Sequence, residues 1–232
     1  MTVSQKKLIS LLFWGVVSIQ IPVAPVDAQS VFSAYNRPSD TSRRDGSQRR
    51  TISGSRGCER QSAQLTLLIP EDHIALTASE HPTFLFYLSD LPARPIRISI
   101  VDPQKPEPIF DRTLTINKAG LFSVTIPPTV SALENGKTYI LTAGILCHPT
   151  RMSASAYISV NFQKIALNSY QQKKLERAST LLERAQIYAK EGIWYDALAA
   201  SYEAVRVEDS GAVSYFQKLK AQINLQISQL EP

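Results

Sequence analysis

Only two cysteines, nine glycines, three histidines and two tryptophans occur in 232 residues. Each shortage removes a class of chemistry. Two cysteines without C-x-x-C spacing exclude that type of thiol redox pair, and lying nearly 90 residues apart, with only His148 beside one of them, they make a poor zinc site. Nine glycines, few of them clustered, leave no phosphate-cradling loop: G-x-x-x-x-G-K-[ST] and G-x-G-x-x-G are both missing. G-x-S-x-G and H-E-x-x-H are missing as well. The histidines His73, His81 and His148 match no metal-ligand spacing, even with Asp72 or Glu80 to add oxygen. Asp72, Glu80 and Asp102 lie at turns, where solvated carboxylates are ordinary; a glycosidase pair would have to meet in space rather than in sequence. No catalytic residue, cofactor site or metal site is expected.

Long apolar runs are also scarce. One exists, Leu8 to Ile21, behind Lys6 and Lys7 and ahead of Pro22, Pro25 and the small residues Val26 and Ala28. A basic start, a short apolar core and an A-x-A-like exit form the pattern of a secretory signal peptide, here residues 1–28, cut after Ala28. The run is shorter than the ~20 apolar residues of a spanning helix and is broken by proline. The expected location is periplasmic or extracellular.

The net charge of +5 is unevenly placed. From totals of 25 basic and 20 acidic residues, Lys6, Lys7 and Asp27 fall in the signal. Six arginines and two aspartates fall in residues 29–57, leaving 17 of each sign from position 58 onward. Residues 29–57 are rich in Ser, Arg and Gly and poor in aliphatic side chains, which reads as a disordered linker. Arg43, Arg44, Arg49 and Arg50 could tether it to polysaccharide or an anionic membrane surface, each arginine contributing about 1 kcal/mol near anionic lipid. Nucleic acid is not an expected partner: the protein is exported, and the tract has no RGG repeat or regular aromatic interleaving.

Export also changes the reading of Cys58 and Cys147, which become a disulfide in an oxidising compartment. A loop of about 90 residues closed in this way gains roughly 4–5 kcal/mol in the chain-entropy model.

Between the cysteines the apolar period is two. Leu65/Leu67/Ile69, Phe84–Leu88, Ile96/Ile98/Ile100, Phe110–Ile116, Phe122/Val124/Ile126, Tyr139–Ile145 and Ala156–Phe162 make seven short strands separated by turn residues. The spacing predicts an antiparallel β-sandwich over residues 58–163, of immunoglobulin or fibronectin-III type. Leu133 and Tyr139 around Asn135-Gly136 resemble the corner before strand F in such sandwiches, a structural rather than catalytic place.

From residue 164 to 232 the period becomes helical. Ser169 followed by Gln172 reads as a capping-box start, with Leu175, Ala178, Leu182, Ala185 and Ala189 on one stripe and Gly192 as its stop. Trp194 to Val205 and Phe216 to Leu230 form two further stripes. Ala185, Tyr188, Gly192, Trp194, Ala197 and Ala204 resemble one tetratricopeptide-type hairpin, which cannot bury its face alone. Trp194, Tyr195 and Tyr202 are the candidate docking residues of this helical region, since aromatics dominate interface hot spots.

The order of blocks is similar to an uncharacterised family of exported, mostly cyanobacterial proteins known only as a domain of unknown function. The residues that carry the similarity run from Gly57-Cys58 through Leu68-Ile69-Pro70, Thr77, Pro82-Thr83-Phe84, Tyr87, Gly136, Tyr139 and Leu146-Cys147. They end in the most specific block, Gly192-Ile193-Trp194-Tyr195-Asp196-Ala197-Leu198, within a resemblance covering about residues 57–205. His148 stands where the family pattern has an acidic residue. The resemblance implies export and architecture but no activity, cofactor or catalytic residue. The expected function is a non-enzymatic protein-binding or adaptor module of the cell envelope. The alternative is carbohydrate recognition through exposed aromatics of the Phe84–Tyr87 run or the loops.

Overall fold

A computed structural model describes residues 34–39, 51–52, 63–146 and 157–223. Among the described residues nine strands form two sheets. The first holds β1 (Thr51–Ile52), β2 (Leu65–Leu67), β4 (Thr83–Leu88) and β7 (Gly120–Thr125), in the order β1-β2-β4-β7 and antiparallel throughout. The second holds β3 (Ala75–Thr77), β5 (Ile96–Val101), β6 (Phe110–Leu114), β8 (Thr138–Ile145) and β9 (Tyr157–Lys164), in the order β3-β9-β8-β5-β6. Within it β3 runs parallel to β9, and the other pairs are antiparallel.

All seven strands expected from the sequence, six from alternation and β4 from a continuous apolar run, are present. Period two is clearest in β5 and β9, where Ile96, Ile98, Ile100 and Ile158, Val160, Phe162 are buried while their neighbours are partly exposed. The two sheets meet through such residues; the rings of Phe84 in β4 and Phe162 in β9 lie edge to face at 5.1 Å. The Leu133–Tyr139 corner closes one turn. Leu133 and Tyr139 are both buried, and the Tyr139 hydroxyl accepts the Glu134 N–H at 2.8 Å. Tyr139→Phe is expected to cost about 0.5–1.5 kcal/mol, the net worth of one hydrogen bond. Chemical denaturation would check it, an unchanged midpoint meaning that the hydroxyl contributes nothing.

Four helices follow: α1 (Ser169–Arg177), α2 (Leu181–Lys190), α3 (Trp194–Arg206) and α4 (Ala212–Ala221). The first apolar stripe is thus two helices rather than one. Thr180 accepts the Glu183 N–H, while the Glu183 carboxylate accepts from the backbone and hydroxyl of Ser179. This Ser-Thr-x-x-Glu start competes successfully with continuation of α1. The cap of α1 is also one residue earlier than expected: Asn168 and Gln171 exchange the two capping bonds.

The composition of residues 29–57 predicts a disordered linker, and two parts of it depart from that. Thr51–Ile52 pair with β2, and residues 34–39 lie against the helices. The sheets and helices share one buried core that includes Tyr35, Phe84, Phe162, Tyr195 and Phe216. Residues 1–33, Arg43, Arg44, Arg49, Arg50, Cys58, Cys147 and His148 lie outside the described residues.

Candidate functional site

The Gly-Ile-Trp-Tyr-Asp block starts α3 and ties the helical end to both sheets. Gly192 takes φ +75°, a left-handed turn that lets α2 stop and α3 begin two residues later, at Trp194. Trp194 and Tyr195 then leave the first turn of α3 in different directions. Trp194 is fully buried and its indole N–H donates to the Leu68 carbonyl at 2.9 Å. Tyr195 is 1 % exposed. Its ring sits 4.8 Å from Phe84 of one sheet and 5.7 Å from Phe162 of the other, edge to face with each.

The expectation that Trp194 and Tyr195 form a docking surface is therefore corrected. An apolar stripe reveals which face of a helix seeks cover, not what covers it, and here the cover is strands of both sheets. Tyr202 is half-buried, its ring 5.8 Å from Phe216. The aromatic run of β4 is corrected likewise: Phe84 and Phe86 are buried in the core and Tyr87 is half-buried, so no flat aromatic patch stands on that strand.

Asp196 completes the joint. Its carboxylate accepts the Thr77 hydroxyl at 2.8 Å and the Ala78 N–H at 3.0 Å, pinning the start of α3 to the end of β3. Burial pushes the Asp196 carboxyl up from its ordinary value of 3.8, against those hydrogen bonds and the Lys164 charge. Asp196→Ala is expected to cost about 1–3 kcal/mol, because it leaves the donors at Thr77 and Ala78 unmet. Asp196→Asn keeps an acceptor and removes the charge. In the native protein, the raised carboxyl makes stability fall as pH rises from 3.8 to the raised value, since the folded state there binds more protons. The Asp196→Asn chain should accordingly gain stability relative to the native chain over that interval. A difference independent of pH would mean that the Asp196 carboxyl titrates alike in the folded and unfolded states.

Beside this joint lies a second polar arrangement. Residues 34–39 run across the α2–α3 turn. The Asn36 N–H donates to the Ala189 carbonyl at 3.0 Å, and its side-chain amide donates to the Lys190 carbonyl at 3.1 Å. The Tyr215 hydroxyl donates to the Ala34 carbonyl at 3.0 Å. Tyr35 is buried, edge-on to Trp194 at 4.9 Å and stacked on His73 at 5.7 Å. Its hydroxyl lies 2.8 Å from His73 Nε2 and 3.1 Å from the Gly192 carbonyl. His73 Nδ1 in turn lies 2.8 Å from the Asp72 carboxylate, which also pairs with Arg37.

The phenol has one proton for two neighbours. When His73 is neutral and donates from Nδ1 to Asp72, Nε2 accepts the Tyr35 proton. When the ring is protonated, both nitrogens donate and Tyr35 donates to Gly192 instead. Burial, with the Asp72 charge adding to it, pushes the Tyr35 phenol well up, so it stays neutral. Burial acts against ionisation of Asp72, but the His73 hydrogen bond and the charges of His73 and Arg37 hold its carboxyl below the ordinary range. A cavity of about 210 Å³ opens here, lined by Tyr35, Arg37, Asp72, His73, Trp194 and Ile223 among others. Both His73 nitrogens are engaged inside the protein, so the cluster holds a chain segment and does not present a free base to the cavity.

The other sequence candidates lie apart. Asp102 is buried, accepts the Gln104 N–H at 3.0 Å and pairs with Lys137 at 3.2 Å. Glu80 is exposed, and His81 is half-buried at the start of β4. Among the described residues, no three of His, Cys, Asp and Glu gather where they could hold a metal ion, and no helix is long and apolar enough to cross a membrane. Tyr35 and Asn36 were missed by composition, which averages them into a Ser/Arg-rich tract. The local signal was an aromatic and an asparagine one residue ahead of Arg37-Pro38.

The fold and site thus define a two-sheet β unit closed at one end by helices, with an extended segment held on that end. The chain belongs to the family described as Domain of Unknown Function (DUF928), whose model matches residues 46–232. No curated protein matches it.

Proposed function

We propose that this is an exported, non-enzymatic protein-binding or adaptor module of the cell envelope. The sheets act as a rigid scaffold of immunoglobulin or fibronectin-III type. The helical end, with its tetratricopeptide-like hairpin α2–α3, is the surface that takes extended chain. The observation that carries this reading is the seating of residues 34–39, held through the carbonyls of Ala189, Lys190 and Gly192. Backbone-directed bonds with one aromatic anchor are a way in which proteins recognise peptides.

Signal cleavage after Ala28 and a Cys58–Cys147 bridge belong to the same proposal. Mass mapping of the mature protein under non-reducing conditions should find an N-terminus at Gln29 and a linked pair of cysteine peptides; two free thiols would remove the bridge. The arginine tract is proposed as an accessory contact to polysaccharide or anionic lipid. Affinity capture from envelope fractions, with the mature chain and with Arg43, Arg44, Arg49 and Arg50 changed to Ser, separates these roles. A protein recovered by both forms supports the adaptor reading. Recovery of polymer or lipid alone, lost with the arginines, contradicts it.

A further inference from the structure

We propose that the α2–α3 turn, α4 and His73 form a receptor for an extended peptide carrying Tyr-Asn-x-Pro, supplied by a partner protein. Residues 34–39 are its own displaceable occupant. The inference rests on the adaptor reading and names its ligand.

Four features specify the peptide. The phenol subsite is polar at its floor: His73 Nε2 and the Gly192 carbonyl both lie within hydrogen-bond reach of the Tyr35 hydroxyl, and the Trp194 indole forms its wall. A phenylalanine there would lose both of these hydrogen bonds, a change that sites built around a hydroxyl reject strongly. Next, the Asn36 backbone and side chain donate to two successive carbonyls, Ala189 and Lys190, at the end of α2. Helix C-termini leave such carbonyls with spare acceptor capacity; that of Ala189 also accepts the Gly192 N–H at 3.2 Å, so Asn36 takes its second lone pair. Pro38 then fits over Gly192, where a Cβ would come within 2.4 Å of the proline ring. Finally, Tyr215 of α4 donates to the carbonyl before the tyrosine.

Displaceability follows from how little of the occupant is enclosed. Of residues 34–39 only Tyr35 is buried; Asn36, Arg37 and Ser39 are exposed, and the Arg37–Asp72 pair is a surface one. None of the receptor groups needs the peptide to come from the same chain. A peptide entering in trans must compete with the tethered segment, so affinity should rise when the native anchor is removed.

The experiment uses the mature full-length chain and a fluorescent peptide of residues 33–39, Ser-Ala-Tyr-Asn-Arg-Pro-Ser, with its Tyr→Phe counterpart. Fluorescence anisotropy should show the Tyr35→Ala protein, its fold checked by circular dichroism, binding the tyrosine peptide at least about tenfold more tightly than the native protein does. The phenylalanine peptide should be weaker by about tenfold or more. Folded Tyr35→Ala protein that ignores the peptide, or takes both peptides alike, overturns the proposal. So does a native dimer that dissociates on Tyr35→Ala, since the segment would then belong to a second copy. Hydrogen exchange on the native protein decides the matter if the variant does not fold. The Asn36 amide should exchange by local opening while α3 stays protected; exchange only with global unfolding makes the segment a permanent part and ends the proposal. Failure of these tests leaves the adaptor reading to the envelope capture, which does not require this groove.

Discussion

Tyr195→Ala is expected to lower stability by about 3–5 kcal/mol, the range for deleting a large buried aromatic side chain. Tyr195 leaves the first turn of α3 and contacts Phe84 of one sheet and Phe162 of the other. Phe162 also meets Tyr139 at 5.7 Å, so the cluster extends to the Leu133–Tyr139 corner. Removing the ring opens a cavity where both sheets and a helix converge, and no neighbour can fill it without shifting a strand. The native protein should unfold in one step. Of the two tryptophans, Trp14 lies in the expected signal, so the fluorescence of the mature chain reports Trp194 and hence the helical end. Its transition should coincide with the far-ultraviolet dichroism of the whole fold. A loss below about 1 kcal/mol for Tyr195→Ala, or two separate transitions in the native chain, would mean that the helices merely rest on the sheets.

Gly192→Ala should act through two terms that a second glycine separates. At φ +75° an alanine carries left-handed strain of roughly 1–2 kcal/mol. The new Cβ would also lie 2.4 Å from Pro38 Cγ and 2.9 Å from the Asn36 carbonyl oxygen. The turn between α2 and α3 is fixed by Trp194 and Asp196 on one side, so the segment is the part that gives. Gly136 has φ +81° but nothing within 4 Å of its would-be Cβ. Gly136→Ala therefore measures backbone strain alone, and the excess for Gly192→Ala is the contribution of segment docking. Equal losses in thermal denaturation would mean that residues 34–39 add no stability.

Seven of the nine strands were legible: alternation over five to eight residues outlasts local noise, β4 was a continuous apolar run, and β2, at three residues, was marked by Leu65 and Leu67. β3 has only three residues, all buried, and shows no alternation at all. The α1–α2 break was written in Ser179-Thr180-x-x-Glu183, yet the apolar spacing of Leu175, Ala178 and Leu182 continues through it. Spacing alone therefore joined two helices.

The site was harder to read for a different reason. Gly192 to Leu198 stood out as a block, but its meaning depends on partners far away in sequence: Leu68 for Trp194, Phe84 and Phe162 for Tyr195, Thr77 for Asp196. Nothing local distinguishes an aromatic residue that fills the space between two sheets from one that greets a partner. Tyr35 was hidden by the opposite effect, one anchoring residue in a tract whose average composition argues against order.

The helical end holds residues 34–39 as a bound peptide. Native-state hydrogen exchange at the Asn36 amide tests it most directly, because that N–H has the Ala189 carbonyl as its acceptor. Exchange clearly slower than for an unstructured chain, and accelerated in Gly192→Ala, is the predicted result. Exchange at the free-chain rate in the native protein would contradict the account.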